Sequence, residues 1–543
     1  MNERVEQRYQ DLQGILEQAR IRPLAEAEYQ QLAAALQTLN FLTQELENRR
    51  TTIGRLRGML FGTRTEKTRR VFPSPATPPA GTGGAGPPPA DDPKPKPKGH
   101  GRKAADAYRG ATRITFPHAS LKLGDRCPSC RRGKVYARPP AVLVRLLGGP
   151  PVTATVYERE SLRCNLCLEI FTAPLPETVP EDKYDPSAAA MIALLKYGSG
   201  FPFHRLEQLQ AGLGIPLPAS TQWGIVERAA GLLQPVWQEL VGSAAQGQVL
   251  HNDDTTVTIL DRLPKVHRNG PGEDDPSDHP PPERTGRFTS GIVSIGEGRQ
   301  MALFFTGHQH AGENLGDVLA RRAASLEPPI QMCDALSRNV SSDFQVVLAH
   351  CLAHARRRFV EVAANFPQEC RSVLETFRRV YENEALTRQA GMSPEQRLAY
   401  HQAQSGPLLE ELRTWSEAQL AERKVEPHSG LGKALLYIRK HWSRLTLFLQ
   451  VGGAPIDNNL CERALKHVIL HRKNSLFYKT LNGAEVGDLF MSLIHTCRLN
   501  GADPFHYLTT LQQHARQITK HPHRWMPWNY RETLRVLPTE CAA

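Results

Sequence analysis

From Gln248 onward the chain changes character, and the pattern there admits few folds. Three runs rich in β-branched and aromatic residues, QVLHNDDTTVTILD, RFTSGIVSIG and RQMALFFTG, read as strands. A Pro-, Gly- and charge-rich loop from about Arg262 to Glu283 separates the first two. A helical stretch, GENLGDVLARRAASL, leads to a short strand in PPIQMCDALSRN that ends at Asp334, and VVLAHCLAHARRRFVEVAANF then reads as strand followed by helix. Three meander strands followed by alternating helix and strand predict a mixed sheet with one acid on its first strand, Asp253, and another at the end of a later parallel strand, Asp334. That is the order of an RNase H-like domain. A charged, helix-forming stretch from about Pro367 to Gln450 reads as an all-helical insertion, and a third acid lies beyond it. In IDNNLCERALKHVILHRKN, Asn459, Glu462, Arg463 and Lys466 fall on one helical face and Leu460, Ala464 and Val468 on another, so Glu462 is expected to point outward from a packed helix.

Three carboxylates so placed suit phosphodiester cleavage, which builds negative charge on an attacking and a leaving oxygen together. Two Mg²⁺ (or Mn²⁺) ions about 3.5 to 4 Å apart stabilise both, and carboxylates are the hard ligands that hold them. With 55 acids in the chain, spacing alone does not select a triad; the strand and helix context does. Around the triad, Arg463, Lys466, Arg472 and Lys473 are expected to meet DNA phosphates. Cys351-Leu-Ala-His354 lacks the second Cys-x-x-His pair of a zinc site. His354, with Arg356 and Arg357 behind it, reads instead as a contact to the scissile phosphate or as a structural histidine.

The remaining segments fit a modular nucleic-acid protein. A chain of 543 residues is too long for one core, and a formal charge of +12 favours a polyanionic partner. From Leu32 apolar residues recur every seven positions through Leu39, Leu46, Ile53 and Leu60, the spacing of a coiled coil; an amphipathic helix packed on its own domain shares it, and the charged residues around the stripe favour self-association. A Pro- and Gly-rich linker comes next and ends in KPKPKGHGRK, where Arg102 and Lys103 could lie along DNA. Cys127 and Cys130, with Cys164 and Cys167, form two C-x-x-C pairs separated by β-prone sequence, as a structural Zn²⁺ site would require. Helical sequence from Asp185 to about Val241 is compatible with a helix-turn-helix presenting Thr221, Gln222 and Arg228, with Ser220 as N-cap, and equally with generic helical packing. The polar start and the lack of a long apolar run predict no membrane segment and a cytoplasmic, nucleoid-associated protein.

Several blocks in order, LRGMLFGTRTEK, KGHGRK, the paired C-x-x-C, LHNDDTTV, QMCDALSRN, CLAHARRRF, IDNNLCERALKHVILHRKNSLF and SLIHTCRLNGADPFHYL, resemble the bacterial insertion sequence 66 family of transposases over nearly the whole chain. The resemblance implies a D-D-E triad on Asp253, Asp334 and Glu462, and accessory proteins encoded by the same element. The first motif is often Asp-Glu-Thr in that family, so Asp253-Asp254-Thr255 departs from it and raises the question whether Asp254 also touches metal. The expected organisation is an α/β multidomain protein. It comprises a coiled coil (1–70), a linker (71–106), a zinc-binding β module (107–182) and a helix-turn-helix-like domain (183–245). The RNase H-like domain comes after them in two parts (246–366 and 451–515) around the helical insertion (367–450), with a tail (516–543). The expected function is recognition of terminal inverted repeats in double-stranded DNA, strand cleavage and 3′-hydroxyl strand transfer. The alternatives are an inactive DNA-binding regulator and a nuclease without strand transfer.

Overall fold

The computed structural model describes residues 182–260, 286–341 and 344–537, with parts of 19–32, 120–135 and 149–179. The heptad segment beyond Leu32, the linker with Arg102 and Lys103, and the four cysteines Cys127, Cys130, Cys164 and Cys167 lie outside the described residues. Flanking the second cysteine pair, β1 (Ser161–Arg163) and β2 (Ile170–Thr172) run antiparallel, with Leu162 opposite Phe171. Arg126 bridges Lys134 around the first pair.

Chain contacts divide the protein into two compact units, one holding residues 353–442 and the other the described residues of 182–352 with 443–537. The second unit is α/β. Its helices α1 (Pro186–Ala193), α2 (Phe203–Gly212) and α3 (Ala219–Ala245) precede a five-stranded sheet of β3 (Val249–Thr256), β4 (Phe288–Gly296), β5 (Arg299–Gly307), β6 (Ile330–Cys333) and β7 (Val347–His350). The strand order is β5-β4-β3-β6-β7, antiparallel from β5 to β3 and parallel from β3 to β7. Helix α4 (Ala311–Leu319) joins β5 to β6, and α5 (Leu352–Val362) leaves β7 for the helical unit. There α6 (Pro367–Gln389), α7 (Pro394–Gln404), α8 (Gly406–Ala421) and α9 (Gly430–Lys440) succeed one another, with Glu384 on α6 binding Arg388, Arg397 and His401. The chain re-enters the α/β unit with α10 (Asn459–Ser475), α11 (Leu481–Leu499) and α12 (Pro504–Gln513). Among the described residues no helix is long and apolar enough to cross a membrane.

Alternation along the strands sends neighbouring side chains to opposite faces. On one face Ser294 donates to Ala244 of α3, Trp237 of α3 packs 5.9 Å from Phe305, and Asn314 of α4 donates to Ser290. The other face receives α10. Helix α3 is thus a core element, its Val226, Leu233, Val236 and Leu240 fully buried. Gln222 is fully buried as well and donates to the carbonyls of Phe203 and Leu217, so it is not displayed to a ligand. Pro218, not Ser220, occupies the N-cap of α3.

Among the described residues the outer edge of β5 has no strand partner, and α11 covers it. The amides of Gln300, Ala302, Phe304 and Thr306 donate to Asn500, Thr496, Ser492 and Asp488 at 3.4, 3.0, 3.0 and 2.6 Å. Two residues of strand rise about 6.6 Å and four of helix about 6 Å, so polar side chains every fourth residue keep step with every second strand amide. Sequence from Ile518 to Tyr530 packs into the same core, where Tyr507 donates to the Trp525 carbonyl at 2.7 Å.

Asp488 is the sensitive rung of this ladder. Burial raises its carboxyl from 3.8 to about 8, against the bonds from Thr306 that favour the charged form. The folded protein therefore holds the proton more tightly than the unfolded chain does. The stabilisation is complete below the ordinary carboxylate range and disappears as pH rises through about 8. Asp488→Asn keeps an acceptor for the Thr306 amide without the ionisation. The variant should show a shallower fall of thermal midpoint between pH 5 and pH 8 than the parent in differential scanning calorimetry; parallel pH profiles would show that Asp488 does not titrate there.

Candidate active site

Strands β3 and β6 pair only from Val249–Ile330 to His251–Met332 and then part. Asp253 lies on β3 just past the last pair, and Asp334 directly succeeds β6. Asparagine side chains occupy the opened end. Asn339, fully buried, donates through Nδ2 to Asp334 Oδ1 at 2.7 Å and to Asp253 Oδ1 at 3.3 Å, so one amide group touches both carboxylates. Its backbone carbonyl accepts from the side chains of Asn252 and Gln331, both at 2.7 Å and both buried, which fixes the turn that carries it.

Glu462 arrives on the first turn of α10. The N-cap of that helix, Asn458, is fully buried and anchored to β3: Nδ2 donates to the Asn252 carbonyl at 3.0 Å and Oδ1 lies 3.1 Å from His251 Nδ1. Its backbone amide donates to Cys351 Sγ at 3.2 Å. Close approach of the helix also depends on Gly291, the antiparallel partner of Asp253 on β4. A Cβ there would stand 2.9 Å from Leu465 Cδ2, while Cys461 Sγ donates to the Gly291 carbonyl at 3.2 Å. Directly opposed residues share a face, so the Asp253 side chain and α10 occupy the same side of the sheet. The buried stripe of α10 is Cys461, Ala464, Leu465, Val468 and His471. Leu460, expected in the stripe, is only partly buried.

Electrostatics report the same convergence. Asp253 is raised to about 7, chiefly by burial and then by the charge of Asp334, with smaller contributions from Asp254 and Glu462. Among the described residues the three carboxylates do not gather into one cluster with every ligand oxygen within 4.8 Å of the others. Asp254 has a separate setting. Its side chain is 2% exposed on the opposite face, bound to His310 Nδ1 at 2.8 Å and Arg338 at 3.2 Å, and alternation along β3 directs it away from Asp253.

The basic residues divide. Arg463, Lys466 and Lys473 are exposed on α10. Arg472 is engaged: its guanidinium donates to Thr255 Oγ1 at 3.1 Å and Thr256 Oγ1 at 3.0 Å, tying the last turn of α10 to the end of β3. His354, Arg356 and Arg357 lie half-buried on α5 in the helical unit. The sequence by itself points to no role for Asn339, Asn458, His251 or Gly291. Asn339 stands five residues after Asp334 and Asn458 four before Glu462, inside the acidic motifs, but nothing in the string says that one amide binds both aspartates and the other a strand carbonyl.

Fold and site together define a mixed α/β protein with acidic residues at the parted ends of two parallel strands. The profile of the Transposase IS66 family matches residues 182–271 and 290–486, more than half of the chain. The chain belongs to this family, which supports a transposase-type function. It is similar to two proteins of Sinorhizobium fredii, described as uncharacterized protein y4jD and uncharacterized protein y4hP. The first is 30% identical over 389 residues, covering 69% of this chain and 72% of the relative. The second is 27% identical over 395 residues, covering 69% and 67%. No solved structure matches.

Asp334→Asn removes the like charge beside Asp253, so the Asp253 ionisation should move down from about 7 yet stay above the ordinary 3.8, because burial persists. Carboxyl-¹³C-aspartate NMR in divalent-free buffer would read it, and an unmoved midpoint would show the two acids to be uncoupled. Asn458→Ala deletes both side-chain contacts to β3 and should cost about 1 to 3 kcal/mol in urea unfolding; an unchanged midpoint would deny Asn458 its anchoring role.

Proposed function

We propose that this chain is a D-D-E transposase in which Asp253, Asp334 and Glu462 handle the scissile phosphate of DNA. The observation that carries this reading is the meeting of Asp253 and Asp334 on one Asn339 amide, with the Glu462 helix drawn down on the Asp253 face of the sheet. The strand order β5-β4-β3-β6-β7 supports an RNase H-like catalytic domain, interrupted by a helical insertion.

A carboxylate whose proton affinity is raised by burial and by the like charge of its neighbours, as that of Asp253 is, sits in a site that a cation relieves. The carboxylate oxygens are the hard donors that Mg²⁺ or Mn²⁺ takes. Bound there, such ions would supply positive charge to the attacking and departing oxygens. The protein's own contribution is positional. Asn339 orients the two aspartates, Asn458 and Gly291 set the depth of α10, and Arg463, Lys466 and Lys473 present cations to the DNA backbone. Arg472 holds the end of β3 in place and acts on DNA through that support. His354, Arg356, Arg357, Arg102 and Lys103 complete the proposed DNA contacts.

In the first reaction a water oxygen bonds to phosphorus while the bond from phosphorus to the 3′ oxygen breaks, and that oxygen leaves as a hydroxyl. In the second, this 3′-hydroxyl attacks a phosphodiester of target DNA, displaces the target's 3′ oxygen and gives up its proton. The proposal includes recognition of terminal inverted repeats, self-association through the amino-terminal heptads, and Zn²⁺ held by Cys127, Cys130, Cys164 and Cys167. It also includes accessory proteins of the same element.

With full-length protein and a duplex bearing the element end, Asp253→Asn, Asp334→Asn and Glu462→Gln should each lower strand cleavage by about a hundredfold or more while end binding persists. Cleavage at the parental rate in any of the three would remove that residue from the triad. Pre-cut ends should be joined to target DNA in Mg²⁺; hydrolysis without joining would leave a nuclease.

A further inference from the structure

Beyond the carboxyl end of α10 the α/β unit holds a cavity of about 500 Å³ that the proposed chemistry does not use. Its walls are aromatic and cationic: Phe203, Trp223, Phe477 and Tyr478 with Lys196 and Lys479. Lys196 is 9% exposed, donates to Ser475 Oγ at 2.8 Å and lies 4.9 Å from the Phe203 ring centre. Burial pulls its pKa down to about 8, and among the described residues no carboxylate offsets the loss of hydration. A cation so enclosed, joined among the described residues to a hydroxyl and a ring, is suited to an incoming anion. The amino-terminal end of α11, a helix of 19 residues, adds positive potential, since Thr480 and Gly483 also line the space.

The rim is open and shaped by strain. Leu476, at φ +67°, closes α10 in the left-handed region that a branched side chain rarely adopts, and Phe477 next to it is 39% exposed. His204, Ser220 and Lys479 are exposed at the mouth. The far wall is tied to the chain just after β3, the strand that carries Asp253. The Tyr478 amide donates to the Thr258 carbonyl at 2.9 Å, and its carbonyl accepts from Leu260 at 3.0 Å. Five residues of extended chain separate Asp253 from Thr258, roughly 17 Å.

A flat π-system joined to an anion matches those walls, and nucleic acid supplies both in one unit. We propose that this cavity receives a single unpaired nucleotide of the DNA on which the carboxylates act, its base stacked on the aromatic walls and its phosphate met by Lys196 and Lys479. The proposal rests on the transposase reading and adds a site for nucleotide recognition to it. Discrimination arises because a paired base cannot leave its stack to reach the cavity without an unpairing cost, whereas a bulged base has already met it.

The test uses full-length protein in divalent-free buffer, so that no cleavage occurs. Two short duplexes are compared by fluorescence anisotropy, one carrying 2-aminopurine as a single unpaired base and one carrying it paired with thymine. The bulged duplex should bind about five- to a hundredfold more tightly, with quenching of the 2-aminopurine. Phe477→Ala, at a partly exposed rim position, and Trp223→Ala should erase that preference while affinity for the paired duplex stays at the parental value. Lys196→Met should weaken the preference and retain the quenching. Equal binding of the two duplexes by the parent, or a preference that survives in both aromatic variants, overturns the proposal and leaves the transposase reading standing. Failure to bind either duplex overturns both. Displacement of the bulged duplex by an equal concentration of deoxyadenosine monophosphate would assign the cavity to free nucleotides and equally overturn it.

Discussion

Where two parallel strands stop pairing, their backbone groups must still find partners, and the site is built from how this chain meets that demand. β3 and β6 exchange hydrogen bonds over three residue pairs only. Past them, the Asn458 side chain takes the Asn252 carbonyl, and the side chains of Asn252 and of Gln331 within the paired stretch reach the Asn339 backbone carbonyl. Each asparagine thereby ties an acidic residue's carrier to the sheet. Asn339 binds Asp253 and Asp334 themselves, and Asn458 seats the helix that bears Glu462. Closing the polar ends of a sheet and assembling a carboxylate site are here the same act.

That arrangement works because the two faces of β3 are kept apart. His251 and Asp253 face α10, and Gly291 opposite Asp253 leaves the volume in which Leu465 and Cys461 lie. Asp254 faces α4, where His310 and Arg338 bind its carboxylate. Neighbouring aspartates in one motif thus live in opposite electrostatic settings. One is pushed towards neutrality by burial and a like charge, and the other is held between donors. The periodicity of two that alternates side chains is sufficient to separate them.

Much of the α/β core is legible in the string. β-Branched runs mark β3, β4 and β5, the strand that ends before Asp334 is placed by its own motif, and the helix bearing Glu462 is placed by its apolar spacing. Periodicity misses the phase of α10, where Cys461 and Leu465 are buried and Leu460 only partly so, because its packed face answers to Gly291 on a strand far away in sequence. It also offers Gln222 as a displayed residue, although that amide serves two carbonyls inside the core. Polar residues do not announce whether they face water or an orphan backbone group. The helices from Pro186 to Ala245 look like a separate module by the same logic, yet Trp237 and Ala244 pack on the sheet itself.

The ladder from Asp488 to Asn500 carries a consequence for assembly. An uncovered outermost strand invites another polypeptide to dock along it by main-chain pairing. Here every second amide of β5 is already spoken for by a helix of the same chain. The sheet therefore cannot be lengthened on that side by a second copy, and any higher-order complex has to be joined through helices, loops or the opposite rim, leaving the acidic centre of each subunit with the sheet it folded on.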